Sequence, residues 1–270
     1  MTARLREAAR RLLAEGKVQV VIGWGESGRP VFVKRPEDAN KLAWNHRCFA
    51  NLTVYLKRKE VRALGKPALV VKGCDERALV VLEQEAQVER SGVYVIGVAC
   101  DGVSSPKCAA CQVRKPRFAD VIIGEPAAGP AGAAESALGA LLRLSRPERF
   151  AYWKAEFARC TRCYACRQVC PLCYCERCVA DKNRPVAIDT SATLKGNFAW
   201  HITRAFHLAG RCVQCGECSR VCPAGIKLGL LNRTLARAAD QCFGYRAGMD
   251  PDSPPVIGAW SPRDKEDFIR

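Results

Sequence analysis

The chain has 270 residues, 49% of them hydrophobic, so it can bury a core, and no apolar run approaches the about 18–20 residues of a membrane span. A formal charge of +16 spread along the chain, rather than grouped into an arm or stripe, fits an acidic partner protein better than nucleic acid. Seventeen cysteines, odd in number and with seven between Cys160 and Cys178, fit metal binding in a reducing compartment better than a disulfide framework.

The opening segment from Met1 to Glu7 begins an amphipathic pattern and lacks the apolar core of a signal peptide, so a cytoplasmic protein is expected. Leu5, Ala9, Leu12 and Leu13 mark one helical face, with Gly16 as its stop. Val18–Ile22 and Val31–Val33 read as strands, and Gly23-Trp24-Gly25-Glu26-Ser27-Gly28 between them reads as a hairpin turn. A dinucleotide fingerprint would need a helix opening on those glycines, and Pro30 with a strand-like run follows instead. A helix is expected from Pro36 through Leu42, Trp44 and Phe49 toward Leu56. Next come a strand at Ala68–Lys72, a helix N-capped by Asp75 with Ala78, Leu79, Leu82 and Ala86 inward, and a strand at Val93–Val98. This βαβ order favours parallel strands.

The Pro/Gly/Ala-rich stretch 124–132 reads as a linker, and helical periods follow at Ser136–Leu144, Glu148–Ala158, Phe198–Ala209 and Leu228–Ala239. The expected fold class is an α/β N-terminal domain with a mostly parallel sheet (1–125), a linker and connecting helix (126–147) and an all-α ferredoxin domain (148–249). An extended tail (250–270), able to lie on a partner, completes the chain.

One internal repeat carries the chemistry. Cys160-Thr-Arg-Cys163-Tyr-Ala-Cys166-Arg-Gln-Val-Cys170-Pro171 and Cys212-Val-Gln-Cys215-Gly-Glu-Cys218-Ser-Arg-Val-Cys222-Pro223 share the spacing C-x2-C-x2-C-x3-C-P. Three cysteines at these intervals wrap three corners of a cubane, and the fourth steps away to the other cluster. Cys160, Cys163, Cys166 and Cys222 are therefore expected to hold one 4Fe–4S cluster, and Cys212, Cys215, Cys218 and Cys170 a second. Zinc sites, built from two separate C-x2-C pairs, fit the run poorly. With some forty residues and a helix-like segment between the motifs, residues 150–245 resemble the α-helical ferredoxin domain of heterodisulfide reductase small subunits and succinate dehydrogenase iron–sulfur subunits. The resemblance implies fold and electron relay, not substrate.

Cys74 and Cys100 each follow one of two adjacent predicted parallel strands, and Cys108 and Cys111 come directly after, so four thiols can converge on one sheet edge. The alternative is two small buried cysteines beside a zinc knuckle. Lys72-Gly-Cys-Asp-Glu-Arg-Ala78, Ile96-Gly-Val-Ala-Cys100, Cys108-Ala-Ala-Cys111 and Ala119-Asp-Val-Ile-Ile-Gly-Glu125 resemble the β-subunit family of deazaflavin-coenzyme hydrogenases and dehydrogenases, formate dehydrogenases included. That resemblance implies a third 4Fe–4S cluster on Cys74, Cys100, Cys108 and Cys111, and an FAD site.

Cys173, Cys175 and Cys178, with Cys242 as a distant fourth, are candidates for an additional cluster or a zinc, the cluster preferred. Cys48 is expected to be a core thiol, and His201 and His207 packing residues. No nucleophile elbow, phosphate loop or His-Glu-x-x-His occurs, so no catalytic residue is assigned. The expected function is an iron–sulfur electron-transfer subunit of a cytoplasmic redox complex in an anaerobe, of formate dehydrogenase, hydrogenase or heterodisulfide-reductase-like type, with flavoprotein and catalytic subunits as partners. The alternative is an FAD-containing β subunit that exchanges hydride with nicotinamide or deazaflavin coenzyme.

Overall fold

The computed structural model describes residues 1–103, 105, 107–108, 111–126, 133–181, 184–186 and 188–256. Helix α1 (Thr2–Ala14) buries Leu5, Ala8, Ala9 and Leu12, the stripe its period requires. Strands β1 (Val20–Trp24), β2 (Pro30–Val33), β3 (Pro67–Val71), β4 (Tyr94–Val98) and β5 (Val121–Ile123) form one sheet in the order β2-β1-β3-β4-β5. Only the β1–β2 pair is antiparallel; the remaining pairs are parallel, as the βαβ pattern requires. The glycine-rich turn closes that hairpin, with Gly25 N donating to Arg29 O and Gly28 in the left-handed region at φ 73°.

The expected helix over 36–56 is replaced by two 3-10 helices, Pro36–Lys41 and Leu52–Lys57, with bends and a turn, Cys48 N donating to Asn45 O, between them. Asparagine chemistry accounts for the break. The Asn45 side chain accepts from Arg47 N, and that of Asn51 accepts from Thr53 N, offering the backbone local partners that compete with a helix. A short helix α2 (Lys59–Arg62) then leads to β3.

Helix α3 (Gly73–Gln84) starts three residues earlier than expected, so Asp75 is not its N-cap but its third residue, where its carboxylate accepts from Lys72 N at 3.1 Å. Beyond β5 the described elements are helical: α4 (Ala133–Arg143), α5 (Arg146–Ala158), α6 (Ala165–Gln168), α7 (Leu194–His207), α8 (Glu217–Arg220) and α9 (Leu228–Phe243). Ser145 and Glu148 form a capping box on α5, and Thr193 caps α7. Among the described residues no helix is long and apolar enough to cross a membrane. Most of the expected linker (127–132) and the end of the expected tail (257–270) lie outside the described residues.

The two halves pack on each other through α3. Ala78, Val81 and Leu82 meet Leu172, Leu208, Val213, Tyr245 and Ala247 in one apolar cluster. Polar contacts surround it: Tyr174 Oη donates to Glu85, and Arg211 forms an ion pair with the same carboxylate. The described part of the tail runs over α3 of its own chain, where Gln84 Nε2 donates to the carbonyls of Asp250 and Ser253.

Candidate metal centres

The βαβ order brings four cysteines to one edge of the sheet. Cys74 lies in the first turn of α3, just beyond β3, and Cys100 lies two residues beyond β4, the neighbouring parallel strand. The loop with Cys108 and Cys111 folds against both. All four cysteines line one tight cavity of about 40 Å³, together with Lys72, Arg77, Lys107 and the segment from Val213 to Cys215. Gly73 is obligatory here, because a Cβ would sit 2.1 Å from Val113 O. Burial pushes the Cys100 thiol up to about 11 and raises Cys74 well above the usual thiol range. Lys72 is neutralised by Asp75 at 2.7 Å with both side chains buried, and its ammonium lies 4.0 Å from the centre of the Trp24 ring.

The two ferredoxin motifs fold as the same object twice. Arg162 and Gln214, each two residues after the first cysteine, are left-handed at φ 57° and 61°; Tyr164 and Gly216, two further on, are left-handed at 59° and 72°. Arg162 N donates to Cys160 Sγ and Gln214 N to Cys212 Sγ, each at 3.4 Å. The one-turn helices α6 and α8 then begin at equivalent positions and carry Cys166 and Cys218. Such loops turn amide groups toward sulfur, which is what a thiolate-held anionic cluster needs.

Cys160, Cys163, Cys166 and Cys222 line one cavity of about 20 Å³ with Trp200, His201 and Ile226. Thus the last cysteine of the second motif closes on the first three of the first motif. Cys170, Cys212 and Cys215 pack around the apolar cluster beneath α3. Burial pushes Cys212, Cys215 and Cys218 each up to about 11, and Cys218 Sγ accepts from Asn232 Nδ2 at 3.6 Å.

Cys173, Cys175 and Cys178 line a larger cavity of about 410 Å³ with Tyr174, Arg204 and His207. Cys242 does not join them: it is exposed on α9 and is not among the residues lining that cavity. Period 3.6 along α9 sets its exposed face, and a distant thiol in the sequence carried no signal of that direction. Cys173 is pushed down to about 6 because the Cys170 thiol donates to it, with Arg204 beside them, against the opposing effect of burial. Cys48 is fully buried in the core beside the sheet, its thiol against Ala43 O at 3.7 Å. His201 stacks on Phe157 with ring centres 4.4 Å apart, and burial pushes it down to about 3, so it is a neutral packing group.

Sequence reasoning missed the buried cations beside these sulfurs. Lys107 pairs with Glu217 at 2.6 Å, joining the Cys108 loop to α8, and both side chains are buried. Burial works against the charge of Lys107, but the neighbouring Cys74, Glu217 and Cys215 outweigh it and hold the ammonium above its usual range. Arg204 is 8% exposed; one nitrogen donates to Cys166 O at 3.1 Å and its Nε has no hydrogen-bond partner. The signal was present in the repeat of Trp200 and Arg204 on the apolar face of α7.

The cysteine sets fit iron–sulfur clusters on this evidence. A buried guanidinium facing thiols is strongly disfavoured unless an anion stands beside it, and a cubane with four thiolates carries net negative charge. All seventeen cysteines are free thiols.

Comparison with known proteins bears on the same region. Residues 156–226 match the 4Fe-4S dicluster domain family. Over 106 residues the chain is 31% identical to the F420-dependent formate dehydrogenase subunit beta of Methanocaldococcus jannaschii, a match covering 39% of this chain and 27% of that protein. It is 23% identical to the F420-dependent formate dehydrogenase 1 subunit beta of Methanococcus maripaludis over 86% of each chain. The chain therefore joins a segment similar to a 4Fe–4S dicluster domain to a body similar to formate dehydrogenase β subunits.

Proposed function

We propose that this protein is an iron–sulfur electron-transfer subunit of a multisubunit redox complex. The observation that carries the reading is the doubled motif loop, with Cys222 reaching back to share a cavity with Cys160, Cys163 and Cys166. Cys160, Cys163, Cys166 and Cys222 hold one 4Fe–4S cluster; Cys212, Cys215, Cys218 and Cys170 hold a second. Cys74, Cys100, Cys108 and Cys111 hold a third, supported by their common cavity at the sheet edge. Bound clusters supply reversible one-electron storage. The chain's own residues hold the sulfurs, exclude water and fix the charges around them.

The helical part is an α-helical ferredoxin domain, following a sheet-bearing domain that ends near residue 125. The similarity to formate dehydrogenase β subunits makes catalytic subunits of that kind the inferred partners. Cys173, Cys175 and Cys178 are the remaining candidates for metal, supported by their shared cavity. Iron and acid-labile sulfide in anaerobically purified protein test the reading. About twelve irons per chain are expected, about sixteen would add the Cys173 cavity, and zinc without sulfide would overturn the assignment. Flavin absorbance in the same material tests for hydride chemistry, since a flavin is the group that splits a hydride pair into single electrons.

A further inference from the structure

Two arginines stand at the junctions between the cysteine sets. Arg77 on α3 is 4% exposed and lines the sheet-edge cavity with Cys74 and Cys111. Its guanidinium gives two hydrogen bonds to Ala247 O, at 3.0 and 2.8 Å, and one to Gln112 Oε1 at 3.1 Å. Burial weighs most against its charge; Cys212, in the next set, favours that charge ahead of Cys74 and Cys111, with Arg246 opposing. Arg204 on α7 occupies the matching place one step further. It donates to the carbonyl of Cys166, and against the effect of burial the thiols of Cys173, Cys170, Cys218 and Cys166 all favour its charge.

Neither guanidinium has a carboxylate partner among the described residues. The lysines on the first cavity differ: Lys72 is neutralised by Asp75 and Lys107 by Glu217. Arg77 and Arg204 are thus cations whose charge is left for the sulfur sites at the junctions, as Arg162 is within the Cys160 cavity alone.

We propose that Arg77 and Arg204 are positioning residues that set the reduction potentials of three clusters in series, each raising the two sites it stands between. This rests on the cluster assignment above. A fixed positive charge favours the state holding the extra electron. The middle site (Cys212, Cys215, Cys218, Cys170) lies beside both arginines and is the first to be reduced. When one electron passes to it, one site is oxidised by one electron and its neighbour reduced by one, with no bond made or broken.

The test is an EPR-monitored redox titration of the full chain. Arg77→Gln and Arg204→Gln keep a donor but remove the charge. Arg77→Gln lowers the sheet-edge and middle sites and leaves the Cys160 site unchanged; Arg204→Gln lowers the middle and Cys160 sites and leaves the sheet-edge site unchanged. The expected size is about a tenfold fall in the reduced-to-oxidised ratio at fixed ambient potential, about 59 mV for one electron. Arg77→Lys and Arg204→Lys restore the wild-type values. Unmoved potentials at full iron content, or one uniform shift of all three sites, overturn the proposal. Should the glutamine variants lose iron, the wild-type titration decides instead: the signal missing in Cys212→Ala marks the middle site, and its being reduced last overturns the proposal. Failure of the cluster assignment itself reads differently, as wild-type protein with about eight irons or none.

Discussion

The two motif loops share a backbone but not an environment. In the first, Cys163 is exposed, and the left-handed Tyr164 has its ring 5.6 Å from that of Trp200, with the Arg162 guanidinium 5.3 Å from its centre. In the second, the equivalent Cys215 is half-buried and lines the sheet-edge cavity, and the left-handed position is Gly216, pressed against Lys107 of the opposite half. Identical spacing therefore fixes the local geometry of the sulfurs, while the packing around them decides which site lies near the surface and which stays internal. A site's depth is a property of the fold and not of the motif.

Four comparisons, made with six substitutions, would break or sharpen this contrast. The largest effect is expected from the cysteines. Cys163→Ala should lose about four irons and leave the other centres' spectra intact, whereas Cys215→Ala should lose about four and also disturb the sheet-edge centre, whose cavity it lines. Iron analysis with EPR of the reduced protein reads both, and equal spectra in the two variants would erase the distinction between outer and inner loops. Next, Glu217→Gln strands Lys107 without its carboxylate and should cost about 3–5 kcal/mol in denaturant unfolding. The equivalent residue of the outer loop is Ala165, which has no such role.

Gly216→Ala should cost about 2–4 kcal/mol. Its φ of 72° disfavours any side chain, and the added Cβ would stand 2.7 Å from Lys107 Cβ. Tyr164→Gly, the reverse change in the outer loop, relieves the backbone and loses ring packing and the hydrogen bond that Arg162 donates to its hydroxyl, so its cost should be about 1–2 kcal/mol. The smallest effect belongs to Asn232→Leu, which removes the amide donated to Cys218. A shift of a few-fold in the reduced fraction of the inner site alone is expected, and a matching shift in the outer site would deny the amide any local role.

Much of this was legible in the sequence because it rests on short-range rules. Alternating strand and helix patterns gave the parallel sheet, and with it the meeting of Cys74 and Cys100 beyond neighbouring strands. The repeat gave both loops. What could not be read depended on contacts between distant segments. Nothing local says that Cys242 faces solvent while His207 lines the cavity of Cys173, or that Arg77 and Arg204 lie beside sulfurs of two sets. The stretch 36–56 failed for another reason: its apolar spacing suggests a helix, but the Asn45 and Asn51 side chains divert the backbone.

The hydrogen bonds from Arg77 to Ala247 O span 170 positions of chain. The wall of the sheet-edge cavity formed by Val213, Gln214 and Cys215 likewise comes from far downstream. During synthesis, then, the first centre to have all its thiols translated, at Cys111, still waits for a wall that ends at Cys215. Iron delivered early to Cys74 and its companions would sit open to water and oxygen until that downstream segment has left the ribosome and folded back. Maturation of this protein is in that sense tied to the far half of its own chain.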